Sequence, residues 1–228
     1  MKHTALILAL AATLAGCGSL PGPAPSPQIY LLQPPMPQKT QEPPAPWQVS
    51  VAVPSAATAL DTDRIALTRN GALDYYADAA WTDNAPKLLE SKLVQALEQS
   101  GTISGVSSED DALKADYQLI WNIRAFEAEY ASEGAPNVVL DVSVKLATMN
   151  DRRVIGTKDF SGSAPAAAND MPAILSAFDS ATGQVMSAIA SWLLALPAAM
   201  DASAMPAAQS GDPATARRVR ARSRRGSR

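Results

Sequence analysis

Two features of this sequence bear on chemistry: a cysteine near its start and a closely spaced pair of acids further on. Cys17 is the single cysteine among the 228 residues, and His3 is the single histidine. A mature chain that begins at Cys17 therefore has neither an imidazole nor a second thiol. This excludes Ser-His-Asp and Cys-His catalysis, zinc sites built from His or Cys, and disulfide bonds.

Acidic side chains are what remains for catalysis. Glu127 and Glu129 are two residues apart in a strand-like segment and should share one face of that strand. Paired carboxylates are what glycoside hydrolysis requires. The alternative, which the sequence favours, is a solvated pair that discourages other strands from joining a sheet edge. We predict no catalytic residue, no metal ligand and no cofactor.

The residues around Cys17 predict a lipid anchor. Lys2 precedes an uncharged stretch of Leu, Ile and Ala, and Leu14-Ala15-Gly16-Cys17 resembles a bacterial lipobox. The stretch is much shorter than the ~20 residues of a membrane-spanning helix, so residues 1–16 are predicted to be a lipoprotein signal peptide that is removed. Cys17 would then carry acyl chains such as palmitate. An ordinary signal peptide with an incidental cysteine is the alternative.

The residues after Cys17 bear on the membrane and on the tether. Position 18 is Gly, whereas Asp there resembles an inner-membrane retention signal of enteric-type bacteria. We therefore expect an outer-membrane anchor facing the periplasm, with the inner membrane as the alternative. Residues 17–27 are rich in proline, which fixes φ and predicts an extended tether.

Charge divides the mature chain into an acidic body and a basic tail. Between Cys17 and Ala202 there are 11 Lys and Arg against 21 Asp and Glu, whereas residues 203–228 hold seven Arg and one Asp. A like-charge block of this size is usually unfolded, so residues 201–228 are predicted to be a disordered basic tail. Arg also matches phosphate geometry, so binding to anionic lipid is the alternative. Nucleic acid is not an expected partner outside the cytoplasm.

The body, residues 28–200, shows the alternation that is typical of strands. Strands are predicted at residues 29–32, 49–53, 64–68, 72–77, 103–106, 117–123, 142–146 and 152–160, with a proline-rich loop at Pro34–Pro46. Asn70-Gly71 predicts a tight hairpin, because both turn positions need a positive φ. Asn150-Asp151 predicts a second turn, which completes an antiparallel meander.

The first of two predicted helices runs from about Pro86 to Gln99. Asp83 and Asn84 are cap candidates, and Gly101 is a stop signal. Leucines recur on one face of this helix, and Glu90 is placed largely outside that face.

The second predicted helix runs from about Asp170 to Leu196. Asp170 is its expected cap, Pro197 is expected to end it, and Gly183 is a site for a kink. Its apolar face, which includes Trp192, returns every three or four residues. We therefore predict one α+β domain, an antiparallel β-sheet with two main helices packed on one face.

Two apolar features have alternative interpretations. Tyr75, Tyr76 and Trp81 could form a partner-docking patch, although core positions are favoured for them. The face of the helix at residues 170–196 could hold an acyl chain, although packing against its own sheet is favoured.

Three segments carry a family resemblance: residues 73–101, residues 117–130 and residues 177–192. Together with Tyr30-Leu31-Leu32 soon after the lipobox, they resemble the ABC-type transport auxiliary lipoprotein family, which is PqiC-like and MCE-associated. Tyr75-Tyr76 through Trp81 is the distinctive part. The resemblance covers roughly residues 29–196, and the basic tail lies outside it.

The resemblance implies a non-enzymatic, membrane-anchored part of a lipid transport system in the Gram-negative envelope. Its implied partners are an MCE-domain (mammalian cell entry) protein and the components of an ABC transporter, and a homo-oligomer is a further expectation. The first alternative is a structural or assembly lipoprotein of another outer-membrane export complex. The second is a carboxylate-dependent envelope hydrolase.

Overall fold

One mixed β-sheet with two helices on one of its faces forms the body of the protein. The computed structural model describes residues 26–111, 113–131 and 133–204, with backbone alone for residues 196–204. The predicted signal peptide, Cys17, the tether up to residue 25 and the tail from residue 205 lie outside the described residues. The strands are β1 Gln28–Tyr30, β2 Ala45–Val51, β3 Ser55–Ala56, β4 Arg64–Arg69, β5 Ala72–Trp81, β6 Ile103–Ser108, β7 Tyr117–Tyr130, β8 Asn137–Thr148 and β9 Val154–Pro165. The helices are α1 Ala85–Ser100 and α2 Met171–Ala204.

The α+β class is confirmed, but the prediction of an antiparallel sheet is wrong. Parallel pairing joins β1 to β5, β2 to both β6 and β7, and both β3 and β4 to β7. Among the described strands, antiparallel pairing is found between β4 and β5 and in the meander β7–β8–β9, and the predicted meander is confirmed. The prediction failed because hydrophobic alternation reports which face of a strand is buried, not the direction of its neighbour.

The central strand β7 organises the sheet. Along one side it pairs with β8 over most of its length, and along the other it meets β2, β3 and β4 in succession. Its buried side chains, among them Leu119, Trp121 and Ile123, alternate with the exposed Ile120 and Arg124. One face therefore packs against the helices, whereas the other, which we call the open face, meets solvent.

Local signals position the first hairpin and α1 as predicted. Asn70 and Gly71 have φ of 53° and 76° between β4 and β5. Gly101 ends α1 with φ of 62° and donates its backbone N–H to Glu98 O at 3.1 Å. Asn84 is the N-cap residue, but its side chain makes no capping bond. Glu90 is 2% exposed, so its placement outside the buried face is wrong.

Helix α2 begins as predicted but ends later. Asp170 Oδ1 accepts the N–H of Ala173 at 2.9 Å, which is the expected capping contact. The helix continues through Pro197 to Ala204, so the predicted end at Leu196 is wrong. Proline removes one intrahelical hydrogen bond, and the bonds on either side of it keep the helix continuous.

Candidate functional site

The chain enters the body at the sheet edge formed by β1. The proline-rich segment after β1 is a loop as predicted up to Pro44, whereas Ala45 and Pro46 already belong to β2. The first part of this loop packs closely on both helices. The N–H of Gln33 donates to Asp179 Oδ1 at 2.6 Å, and the N–H of Thr40 donates to Ser100 O at 2.9 Å. Leu32 between β1 and these contacts is fully buried. We call this segment, residues 31–40, the strap. Its contacts fasten the chain that follows β1 to the two helices.

Trp81 lies in the centre of the core. Its ring is stacked on Phe126 at a centroid distance of 5.8 Å and meets the edge of Phe178 at 5.2 Å. Phe126 and Phe178 also contact each other, at 5.1 Å. This three-ring cluster joins β5, β7 and α2, so Trp81 is part of the core and not of a docking patch.

Tyr75 and Tyr76 are half-buried and both have partners within the fold. Tyr75 donates its hydroxyl to Ala59 O at 2.9 Å, and the Arg64 guanidinium carbon lies 3.7 Å from the centre of its ring. On the opposite face, the hydroxyls of Tyr76 and Tyr130 are 2.9 Å apart. Both side chains therefore stabilise the hairpin and the end of β7.

The Tyr76 hydroxyl belongs to a short chain of hydrogen bonds. Tyr130 donates to Asn169 Oδ1 at 2.8 Å, so Tyr76 supplies the proton for the bond between the two tyrosines. Burial, followed by the Tyr130 hydrogen bond, raises the pKa of Tyr76 well above its ordinary value. A phenol held neutral in this way acts as a structural donor and not as a base.

The structure places Glu127 and Glu129 on the same face of β7, beside a surface hollow of about 430 Å³. Burial raises the pKa of Glu127, and the carboxylates of Glu129 and Asp141 raise it further. A raised carboxyl pKa is a property of some catalytic acids. Here, however, the two glutamates point the same way from one strand, whereas glycosidase carboxylates flank the bond that they cleave.

Among the described residues, no group of three or more His, Cys, Asp or Glu side chains could hold a metal ion. Within the same residues, no helix combines the length and the apolar character that are needed to cross a membrane.

The apolar face of α2 is filled by the protein's own sheet. Its buried residues include Ile174, Phe178, Val185, Ile189 and Leu193, each at most 2% exposed. Trp192 is only half-buried and meets the edge of Phe160 at a centroid distance of 5.7 Å. The packing interpretation of this helix is therefore confirmed, but the centre of its buried face is Leu193 rather than Trp192.

Three polar contacts of the structure were not predicted from the sequence. Lys87 lies between Glu90, at 3.3 Å, and Asp110, at 2.5 Å, and the i,i+3 spacing of the first pair was an available signal. On the open face, Arg124, which lies at the irregularity in the pairing of β7 with β8, contacts Asp159 of β9 at 2.7 Å across β8. At the outer edge of β9, the side chain of Gln184 binds the backbone of Ser163. The last two pairs are 35 and 21 residues apart, so only the fold brings them together.

The sequence of this chain also matches a known protein family. Residues 30–190 match the family described as ABC-type transport auxiliary lipoprotein component. The chain belongs to the ABC-type transport auxiliary lipoprotein family. Members are described as lipoproteins and as components of transport systems, so this chain is classed as a membrane-anchored transport component of the cell envelope.

Individual relatives of this family member are similar in sequence and in fold. The crystal structure of protein XCC0632 from Xanthomonas campestris is 31% identical and has a TM-score of 0.71, covering 76% of this chain and 98% of that one. A second, uncharacterized protein of known structure shares the fold, with a TM-score of 0.56 at 14% identity, covering 74% of this chain and 99% of that one. An uncharacterized protein of Bradyrhizobium diazoefficiens is 26% identical over 144 residues, which are 63% of this chain. The match spans 38% of the length of that relative.

Proposed function

We propose that this lipoprotein is a non-enzymatic accessory component of an MCE/ABC-type lipid transport system in the Gram-negative envelope. The observation that carries the proposal is the family match over residues 30–190, preceded by a sequence at Leu14–Cys17 that resembles a lipobox. Lipidation of Cys17 would hold the body at the outer membrane, facing the periplasm. An MCE-domain protein and the ABC transporter components are the proposed partners.

The packing of the body supports a role in contact rather than in carrying lipid. Its apolar interior is occupied by side chains, with Trp81, Phe126 and Phe178 filling the space between sheet and helices. The open face of the sheet instead presents polar and charged groups, such as Asn122, Arg124 and Lys145. Polar surfaces of this kind suit reversible protein contacts.

The anchor geometry supports the same role. The predicted tether, residues 17–27, is eleven residues long, and an extended proline-rich chain of that length spans about 30 Å at ~3.1 Å per residue. The strap, residues 31–40, is itself bound to the helices and adds no free length to the tether. The tether would therefore hold the body at a limited distance from the membrane. That separation suits a partner that extends into the periplasm.

Co-purification from cross-linked envelopes tests the proposal. We expect an MCE-domain protein to be recovered with the wild-type chain, and deletion of the gene to weaken the outer-membrane permeability barrier. Cys17→Ser should fail to restore the barrier, because the body is no longer held at the membrane. The variant that combines Glu127→Gln with Glu129→Gln should restore it, since neither carboxylate is assigned chemistry.

Other outcomes of these experiments would favour one of the two alternative functions. Recovery of components of a different outer-membrane export complex, without an MCE-domain protein, would contradict the proposal and favour an assembly role. Loss of barrier function in the double Gln variant, with the fold intact, would favour the envelope hydrolase. Cleavage of cell-wall glycans by the purified wild-type protein, but not by that variant, would then identify the activity.

A further inference from the structure

The outer edge of β9 is closed at one end by a side chain. Gln184 on α2 accepts the backbone N–H of Ser163 through Oε1 at 3.3 Å and donates Nε2–H to Ser163 O at 3.0 Å. This is the pair of bonds that a neighbouring strand would make. The backbone of Ser163 therefore points away from β8, toward the free edge of the sheet.

The same geometry exposes further backbone groups along β9. Ser163, Ser161, Asp159 and Thr157 pair in unbroken antiparallel register with Val139, Asp141, Ser143 and Lys145 of β8. Because the direction of backbone groups alternates along a strand, the N–H and C=O of Thr157, Asp159 and Ser161 point outward like those of Ser163. Unlike the backbone groups of Ser163, those of Thr157, Asp159 and Ser161 have no hydrogen bond to another described residue on this side. The edge is thus a template for one more strand.

The charged residues of this edge do not block it. Asp159 is drawn onto the open face by Arg124, and Lys158 lies over the Phe160 ring at 5.1 Å. On the helix side, the exposed flank of α2 next to Gln184 consists of the small residues Ala188, Ser191 and Ala195. A strand beside β9 would therefore have room for small side chains facing α2.

The tail of the same chain has a matching pattern. From residue 218 the sequence reads Arg-Val-Arg-Ala-Arg-Ser-Arg, so that arginine alternates strictly with Val219, Ala221 and Ser223. A strand of this sequence would carry arginine on one face and small residues on the other. Helix α2 runs back along β9, because Gln184 meets Ser163 and Trp192 meets Phe160. The tail therefore departs from the β9 side of the body.

We propose that the segment Arg218–Arg224 adds to the free edge of β9 as a further strand. Val219, Ala221 and Ser223 would face the small-residue flank of α2, and the arginines would lie on the open-face side near Asp159, whose side chain is 60% exposed. The intervening residues 205–217 can span about 40 Å at ~3.3 Å per residue, enough to reach the edge. Attraction between the basic tail and the acidic body would add to the backbone hydrogen bonds.

Amide hydrogen exchange tests this proposal in the mature chain with Cys17→Ser, compared with the same chain lacking residues 205–228. We expect the outward amides of Thr157, Asp159 and Ser161 to exchange at least about tenfold faster without the tail. The amide of Ser163 should change less, because Gln184 protects it in both proteins. Equal exchange rates at Thr157, Asp159 and Ser161 in the two proteins would overturn the proposal.

Two variants separate strand addition from simple charge attraction. In the first, residues 218–224 are rearranged to four Arg followed by Val, Ala and Ser, which keeps the charge and removes the alternation. Strand addition predicts loss of protection, whereas unchanged protection would contradict it. In the second, Thr157→Pro removes an outward N–H without a bond to β8, and protection at Asp159 should fall while the spectrum of the core remains unchanged.

The same measurements would also detect two other ways of covering the edge of β9 or of placing the tail. Protection that depends on protein concentration, with a dimer in sedimentation, would identify a second copy at the edge and contradict an intramolecular strand. Protection that requires vesicles of anionic phospholipid would place the tail on the membrane and overturn the proposal.

Discussion

Pro35 lies so close to Gly183 that a β-carbon on the glycine would come within 2.5 Å of Pro35 Cγ and 2.7 Å of Pro35 Cδ. Gly183 is the place where the strap crosses α2, and the absence of a side chain allows the crossing. The glycine was expected as a site for a kink in the helix. Its role in the structure is instead to accept a proline from a segment almost 150 residues earlier in the chain.

Gly183→Ala should therefore destabilise the protein. Helix propensity alone would favour alanine by about 1 kcal/mol, but overpacking against Pro35 should cost ~1–3 kcal/mol. Urea unfolding at equilibrium measures the difference. Adding Pro35→Ala to Gly183→Ala should restore part of the loss, since the clash partner shrinks. A more stable Gly183→Ala variant would mean that the strap does not lie on α2.

Phe178 and Trp192 should differ in their importance for the core. Phe178 is fully buried against Trp81 and Phe126, so Phe178→Ala should cost ~3–5 kcal/mol of the free energy of unfolding. Trp192 is half-buried with one aromatic contact, so Trp192→Ala should cost about 1–2 kcal/mol. Thermal unfolding of the two variants side by side makes the comparison. The reverse order would contradict the packing of α2 described above.

The stability of the protein should respond to pH through Glu127. Burial and the carboxylates of Glu129 and Asp141 raise the pKa of Glu127, so the folded state binds its proton more tightly than the unfolded state does. This contribution to stability is fully present below the unfolded pKa and is lost as the pH rises through the raised folded pKa.

Glu127→Gln should remove this pH dependence. At pH 7 the variant should be more stable by about 0.5 kcal/mol, a small gain because solvent screens a half-exposed carboxylate. Below about pH 4 the two proteins should unfold alike, since the carboxyl group is then protonated. Denaturant unfolding at both pH values measures this, with Glu42→Gln in an exposed loop as the control. A variant that is less stable at pH 7 would refute the assigned direction.

The anchor makes a separate prediction. Mass spectrometry of the mature protein should find Cys17 as its first residue, carrying acyl chains, and the protein should sediment with membranes. Cys17→Ser should yield an unprocessed or soluble protein, because the acyl chains supply the membrane affinity. An unmodified Cys17 in the mature wild-type protein would rule out the lipid anchor.

Features governed by neighbouring residues were predictable from the sequence. The Asn70-Gly71 turn, the Gly101 stop and the Asp170 cap depend on backbone conformations or hydrogen bonds within a few positions, and each is present. The meander from β7 to β9 is also local, because short connections favour antiparallel neighbours. The family resemblance rested on such segments, and the match over residues 30–190 confirms it.

Tertiary structure alone decided which distant segments meet. Local propensity does not indicate that β2 will pair in parallel with β6 and β7. It likewise gives no sign that Glu90 will be buried or that Pro35 will cross over Gly183. The edge of β9 is a further example, since Gln184 carries no sign in the sequence that it will bind the backbone of Ser163. Hydrophobic patterns report how much of a side chain is buried, whereas strand order and edge contacts depend on the sum of many weak long-range interactions.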